Sequence, residues 1–334
     1  MEHVSHFNTF LIDVVNLPDY KLAHLNERTG RLFDALRRGD LGVRVKLMKK
    51  QGSWAQRTII QPPEDAEFDA DFMLELEERD GWTPLDYHTA VFDTLSAYCD
   101  AQGMSVPAES KNRCVRVTYA NSMHVDVVPY VDREVEGEHI VNAETDRWEG
   151  TDPDGFTAWM KQRDETSNSN MRRVLRLLKY LRDHRGFMGE TRSIILTTVV
   201  GNVIKADTAR AFPGCYDSVP KTLHRVLLDL AAWVRDLPER PEVEDPSSAD
   251  SYFTHRWPQS EYDVFRTDVQ DLASLVDEAI SCVGSSAESL GLWREIFGPQ
   301  FGPRSQTATP VFSPPTTEPG KTPETSTGRS GRAG

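Results

Sequence analysis

A chain of 334 residues can bury a sizeable core, and its length allows two domains. With 52 acidic residues against 38 basic ones, the formal net charge of −14 argues against long contact with a polynucleotide backbone, though not against small nucleotides held through a cation. No apolar run approaches the length of a bilayer span, and the N-terminus carries acids and histidines, with Asp13 following Phe10-Leu11-Ile12, so neither a membrane segment nor a signal peptide is expected, and a cytoplasmic location is the expectation. Cys99, Cys114, Cys215 and Cys282 lie far apart with no CxxC pairing, the pattern of reduced thiols rather than of a zinc site.

In chain order, Leu22, Leu25, Thr29, Leu32, Phe33 and Leu36 recur at helical spacing and predict a helix over 21–38, stopped at Gly39 and laid along the back of a sheet. The strand-like run Val43 to Met48 delivers a small-residue turn at Gly52-Ser53, where backbone N–H groups and a hydroxyl can cradle phosphate oxygens. Lys49, Lys50 and Arg57 flank that turn, either meeting phosphates or simply solvated. Asp69 and Asp71 then alternate along Phe68-Asp69-Ala70-Asp71-Phe72-Met73-Leu74. The two-residue period of a strand sends both carboxylates to one face, where they can hold a divalent metal. Hard Mg²⁺ favours carboxylate oxygens together with nucleotide phosphates, so a phosphate turn followed by an Asp-x-Asp strand predicts a nucleoside-triphosphate site.

A helix over 84–102 follows, with His88 on its apolar face as a satisfied histidine. The β-branched run from Val115 through His124-Val125-Asp126-Val127-Val128-Pro129 supplies the third acid, Asp126, with Pro129 expected to end the strand. Two metals about 3.5–4 Å apart need more ligands than one pair of acids offers, and a third carboxylate meets that need. His124 shares the face of Asp126 by alternation. The stretch 140–156 is punctuated by Asn142, Trp148, Gly150, Pro153 and Gly155 and predicts loops.

The helix expected over 168–184 has a buried stripe of Met171, Val174, Leu175, Leu178 and Leu181, with Arg172, Arg176 and Lys179 on another face. Three cations there need anions, supplied by a triphosphate or by the chain's own acids. Ser193 opens the next apolar run, either as a plain N-cap or, with its hydroxyl and the unpaired N–H groups of a helix N-terminus, as a contact for a phosphate. Further helices are expected over 220–236, 259–283 and 286–297. After Pro303 the residues are mostly Pro, Gly, Ser and Thr, too few of them apolar to offset ordering entropy, so a disordered tail of about 30 Å reach is expected.

Gly52-Ser53 with Thr58, then Asp69-x-Asp71, then Asp126 in a Val-Asp-Val-Val-Pro strand, resembles the polymerase-β-type nucleotidyltransferase superfamily. The branch it most resembles is the bacterial cyclic GMP-AMP-synthase-like nucleotidyltransferases of anti-phage signalling. The resemblance continues in Val141-Asn142 and Thr151-Asp152-Pro153, in Arg176-Leu177-Leu178-Lys179-Tyr180, and in Phe253-Thr254-His255-Arg256-Trp257.

It implies an α/β protein with a polymerase-β-like mixed sheet and spine helix over 1–165, a helical lobe over 166–302 completing a nucleotide cleft, and a tail over 303–334. It also implies two Mg²⁺ ions, or Mn²⁺ in their place, on Asp69, Asp71 and Asp126, and a triphosphate reached by Gly52, Ser53, Lys179 and Ser193. The product implied is a cyclic di- or trinucleotide acting through a downstream effector. In some related systems a ubiquitin-like conjugation machinery joins the synthase's C-terminal glycine to a target, which makes Gly334 a candidate attachment point. A linear nucleotidyltransferase uses the same triad, and an inactive nucleotide-binding scaffold is the reading from a different class.

Overall fold

The computed structural model describes residues 1–63, 68–120, 123–133, 135–249 and 251–303, and for Phe68 and Asp69 the backbone alone. The expected disorder after residue 303 and the glycine at 334 lie outside the described residues.

Residues 1–303 form one compact unit. It opens with helix α1 (Val4–Phe10), which runs into a π-helical turn over Leu11–Val15. Helix α2 (Asp19–Arg38) turns Leu25, Thr29, Leu32 and Leu36 inward, the face that its spacing predicts. Strand β1 (Val45–Gln51) leads into a single helical turn, α3 (Gly52–Ala55), and the chain returns as β2 (Phe68–Leu76). Helix α4 (Pro84–Ala101) starts at a capping box in which Thr83 and Asp86 satisfy each other's backbone N–H, with Pro84 in the first turn.

Five further strands complete the sheet: β3 (Glu109–Ser110), β4 (Val115–Tyr119), β5 (Met123–Arg133), β6 (Gly137–Asn142) and β7 (Arg147–Gly150). The order is β1-β2-β5-β4-β3, with β6 and β7 continuing from the far end of β5. Only β2 and β5 run parallel, and the remaining pairs are antiparallel, so the sheet is mixed as expected. α2 and α4 cover its back, burying Leu25, Leu32, Leu36, Val91 and Leu95 against Ala70, Phe72, Leu74, Val115, Val117, Val125 and Val127.

Two local expectations are corrected here. Pro129 does not end its strand: β5 continues to Arg133, with Pro129 in register with Leu74. The antiparallel pairing with β4 has already ended at Val127 and that with β6 begins at Tyr130, so the missing N–H interrupts neither ladder. Nor is 140–156 loop throughout. Val141 pairs with Trp148 in the β6–β7 hairpin, Trp148 packs on Tyr87 with ring centroids 5.4 Å apart, and Asn142 closes the turn by accepting from the backbone N–H of Glu144 and Thr145. The punctuating residues mark the ends of short strands.

The remaining helices are α5 (Pro153–Thr166), α6 (Met171–Arg185), α7 (Ser193–Val203), α8 (Ala206–Ala211), α9 (Val219–Arg235), α10 (Gln259–Ser281) and α11 (Ser286–Phe297). They build a second core around α6. Phe7 and Phe10 of α1 belong to this core and not to the sheet: Phe7 meets Trp293, Phe297 and Phe301 at 4.9, 5.5 and 4.9 Å. Among the described residues no helix is long and apolar enough to cross a membrane.

Candidate active site

The site is built on two neighbouring parallel strands. In the β2–β5 register Asp71 stands opposite Asp126, and Asp69 opposite His124. Alternation puts the Cβ of Asp69 on the same face as that of Asp71, while the Asp69 side chain lies outside the described residues. Asp71 is half-buried and Asp126 is 7% exposed.

Gly52 begins the turn beside them. Its φ of +58° is left-handed, and a Cβ added there would lie 2.8 Å from Asp71 Oδ2, so glycine is required both by the backbone and by the approach of the carboxylate. The turn is anchored by Trp54, which is buried edge-on against Phe72 at 4.5 Å with Lys50 Nζ 4.1 Å from its ring centroid. Of the flanking bases, Lys50 faces the cleft, Lys49 pairs with Glu138 and Asp154, and Arg57 is exposed.

Arg116, opposite Asp126 across the β4–β5 ladder, donates from Nε to Asp126 Oδ1 at 2.7 Å and from Nη2 to Oδ2 at 2.8 Å. The Cys114 thiol also bonds Asp126. The two carboxylate oxygens offer four acceptor sites between them, so the Arg116 pairing and the Cys114 thiol together leave one for a metal. Burial and the Asp126 charge hold that thiol far above its ordinary pKa, so it stays protonated. His124 sits behind, its Nδ1 2.9 Å from Thr118 Oγ1, and His88 bonds the Cys114 carbonyl at 3.2 Å. The donor set of Asp71 and Asp126 beside the backbone of Asp69 is all oxygen, which fits Mg²⁺ or Mn²⁺ and would suit a soft metal poorly.

The opposite wall comes from α6 and α7. Lys179 is 4% exposed, and its Nζ donates to the Thr58 carbonyl oxygen at 3.0 Å and to Thr58 Oγ1 at 3.1 Å. It does not lie on an exposed cationic face. α6 is the central helix and is covered nearly all round, Leu177 and Tyr180 being buried as well as the predicted stripe. Burial, reinforced by Arg182 and Arg176, lowers the Lys179 pKa to about 7. Arg172 finds its anion in Asp164 and also bonds the Gln56 carbonyl at 2.9 Å. Ser193 is the first residue of α7, its N-cap being Arg192, and its Oγ accepts from Arg182 Nη1 at 3.2 Å.

Gly52, Ser53, Asp71, Asp126, Lys179 and Ser193 all line one cleft of about 850 Å³, near the upper end of the range of small-ligand pockets. Gly334 lies outside the described residues. Sequence reasoning missed Arg116, Cys114, Arg113, Arg192 and Arg256, which also border the cleft or its acids. Arg116 carried a signal, a lone cation alternating between apolar residues in Val115-Arg116-Val117, but its partner depends on strand register. The others become neighbours only through the fold.

Residues 1–164 match the family model described as Second Messenger Oligonucleotide or Dinucleotide Synthetase domain. No curated protein matches the chain in sequence. Among solved structures, that of Vibrio cholerae DncV cyclic AMP-GMP synthase with nonhydrolyzable GTP is similar at a TM-score of 0.73 and 16% identity, covering 91% of this chain and 97% of DncV. That of the Bradyrhizobium diazoefficiens CD-NTase CdnG with GTP is similar at 0.67 and 20%, covering 88% and 94%. That of E. coli MS115-1 CdnC with ATP is similar at 0.66 and 20%, covering 90% and 99%.

Proposed function

We propose that the chain, whose residues 1–164 match the second messenger oligonucleotide or dinucleotide synthetase domain, joins nucleoside triphosphates into a cyclic di- or trinucleotide with release of pyrophosphate. The observation that carries this reading is the pairing of Asp71 with Asp126 beside the Gly52 turn, facing Lys179 and Ser193 across a nucleotide-sized cleft.

The donor triphosphate lies against the Gly52-Ser53 turn, the Lys179 ammonium and the N-terminus of α7, where the Ser193 hydroxyl, unpaired N–H groups and the helix dipole all favour an anion. Asp69, Asp71 and Asp126 are the residues that hold divalent metal, two Mg²⁺ ions or Mn²⁺ in their place. Metal bound there supplies charge neutralisation at the α-phosphate and lowers the pKa of the attacking hydroxyl. Asp126 positions the acceptor 3′-hydroxyl and receives its proton as the oxygen attacks the α-phosphorus. The bond between that phosphorus and the α–β bridging oxygen breaks in line, and pyrophosphate leaves with the bonding pair. DncV has been observed with the linear intermediate pppA(3′,5′)pG, and a second transfer of the same kind, within the linear product, closes the ring.

In this reading the product signals phage infection to an effector from the cytoplasm, and Gly334 is a point of attachment for ubiquitin-like conjugation machinery. CdnC is known in a complex with a HORMA protein, so protein partners acting on such a synthase have a precedent. The test is incubation with the four labelled nucleoside triphosphates and Mg²⁺, then phosphatase and mass spectrometry. A phosphatase-resistant product without terminal phosphate is expected. A phosphatase-sensitive product moves the chain to a linear nucleotidyltransferase, and no incorporation overturns the transferase reading.

A further inference from the structure

The backbone carbonyls that follow the Gly52 turn are held one after another by basic residues of α6. Arg172 Nε donates to the Gln56 carbonyl at 2.9 Å, Lys179 Nζ to that of Thr58 at 3.0 Å, and His184 Nε2 to that of Gln61 at 3.0 Å. A carbonyl oxygen only accepts, so the His184 ring carries a proton on Nε2 in this contact. The chain from Gln56 to Gln61 can span at most about 18 Å when extended, and α6 rises about 18 Å from Arg172 to His184, so this strap lies along the helix with little slack. Lys179 and His184 stand about 140° apart around the helix, and the strap therefore also crosses from one face of α6 to another.

Its other edge is fastened as well. The Gln61 N–H donates to the Val15 carbonyl at 2.8 Å, Ile60 bridges to Asn16, and Lys21 Nζ reaches Gln61 Oε1 at 3.1 Å. Ile59 packs with the core of the sheet and Ile60 with the core around α6, so the strap runs along the seam between them. His184 is itself steadied by Tyr180: their rings stack with centroids 4.4 Å apart, and the Tyr180 hydroxyl donates to the Phe297 carbonyl at 3.3 Å.

The strap joins this anchor to the cleft through one residue, Thr58, which is fully buried. The Thr58 N–H donates back to the Ser53 carbonyl at 2.8 Å, across Arg57 in a left-handed φ of +57°. Thr58 takes two of the three N–H groups of the Lys179 ammonium, one on its carbonyl oxygen at 3.0 Å and one on Oγ1 at 3.1 Å. The third is left for an oxygen in the cleft, which Lys179 lines. The position of Thr58 therefore decides where that third N–H points, and the contact between His184 and Gln61 fixes the far end of the strap that carries Thr58.

We infer that His184, which does not line the cleft, is a positioning residue for the donor triphosphate: it holds the Thr58–Gln61 strap against α6 so that Thr58 aims the Lys179 ammonium at the phosphates. This rests on the placement of the triphosphate in the transferase reading above.

The experiment titrates the full-length protein with a nonhydrolysable nucleoside triphosphate in the presence of Mg²⁺. His184→Phe keeps a ring to stack on Tyr180 and loses the N–H, whereas His184→Gln loses the ring and keeps a side-chain N–H. The Phe variant is expected to bind about three- to tenfold more weakly, the size of one hydrogen bond, and the Gln variant to recover most of that loss. In a Lys179→Met background the Phe substitution should weaken binding no further, because the group through which it acts is gone. A Phe variant that binds as the wild type does, a Gln variant as weak as the Phe one, or losses that add in the double variant would overturn the positioning role. Product formation by the wild type is assayed alongside. The expected binding pattern without any product overturns the transferase reading alone, and a wild type that binds no triphosphate overturns both.

Discussion

Binding of a nucleoside triphosphate should draw one proton onto Lys179. Burial, with Arg182 and Arg176 alongside, brings this amine from its ordinary 10.5 down to about 7, while its two hydrogen bonds end on the neutral oxygens of Thr58. At pH 8 about one free molecule in ten then carries the ammonium form. A triphosphate against Lys179 favours the charged form, so binding takes up about 0.9 proton at pH 8 and about half a proton at pH 7. Affinity should accordingly fall by up to about tenfold per pH unit above 7.

The sign for stability follows from the same shift. The folded pKa lies below the unfolded one, so the buried amine carries its full cost below about pH 7, and that cost disappears as pH rises towards 10.5. Lys179→Met should therefore leave the free protein as stable at neutral pH or more so. Titration calorimetry at pH 8 in two buffers of different ionisation enthalpy reads the proton count directly. No uptake in the wild type, or equal uptake in Lys179→Met, refutes the placement of the triphosphate on this residue.

Gly52→Ala should lower nucleotide transfer by more than about tenfold with a fall of only a few degrees in melting temperature. The left-handed φ costs about 1–2 kcal/mol in a residue with a Cβ, and the added methyl meets Asp71 Oδ2 at 2.8 Å; transfer at wild-type rate would refute this. Asp69→Asn combined with Asp71→Asn should abolish incorporation of labelled nucleotide while circular dichroism stays unchanged, and near wild-type product would reject the metal assignment. Asp126→Asn should keep equilibrium nucleotide binding and lose turnover, whereas equal loss of both would make the residue structural. Co-expression with genomic neighbours should give a higher-mass adduct on a denaturing gel that Gly334→Glu removes. An adduct that survives the substitution, or none in the wild type beside such a neighbour, rejects that site.

What the sequence made legible is what strand geometry alone determines. Asp69 and Asp71 are two residues apart in a β run, so they must share a face, and Asp126 occupies the same phase of Val125-Asp126-Val127. That Asp126 stands opposite Asp71 rather than one residue away is a matter of register, and with it goes the Arg116 pairing. Lys179 misleads for another reason. A helix with a clear stripe is expected to expose its other face, but α6 is central, and its Arg172 and Lys179 are engaged by Asp164 of α5, the Gln56 carbonyl after α3 and Thr58. Arg113, Arg192 and Arg256 also border the cleft but come from three separate segments, and no local pattern links them.

The aromatic contact between the start of the chain and its last described helix bears on how the protein is made. Phe7 packs on Trp293, Phe297 and Phe301, joining positions nearly the whole chain apart, and this cluster belongs to the core that backs α6. On a ribosome the residues of β1 through β7 emerge long before position 301, so the sheet with its acids can assemble while α1 still lacks its partners. The core behind Lys179 closes only when translation is nearly finished. An unfinished chain then holds its acidic strands before the α6–α7 wall that faces them across the cleft has its core.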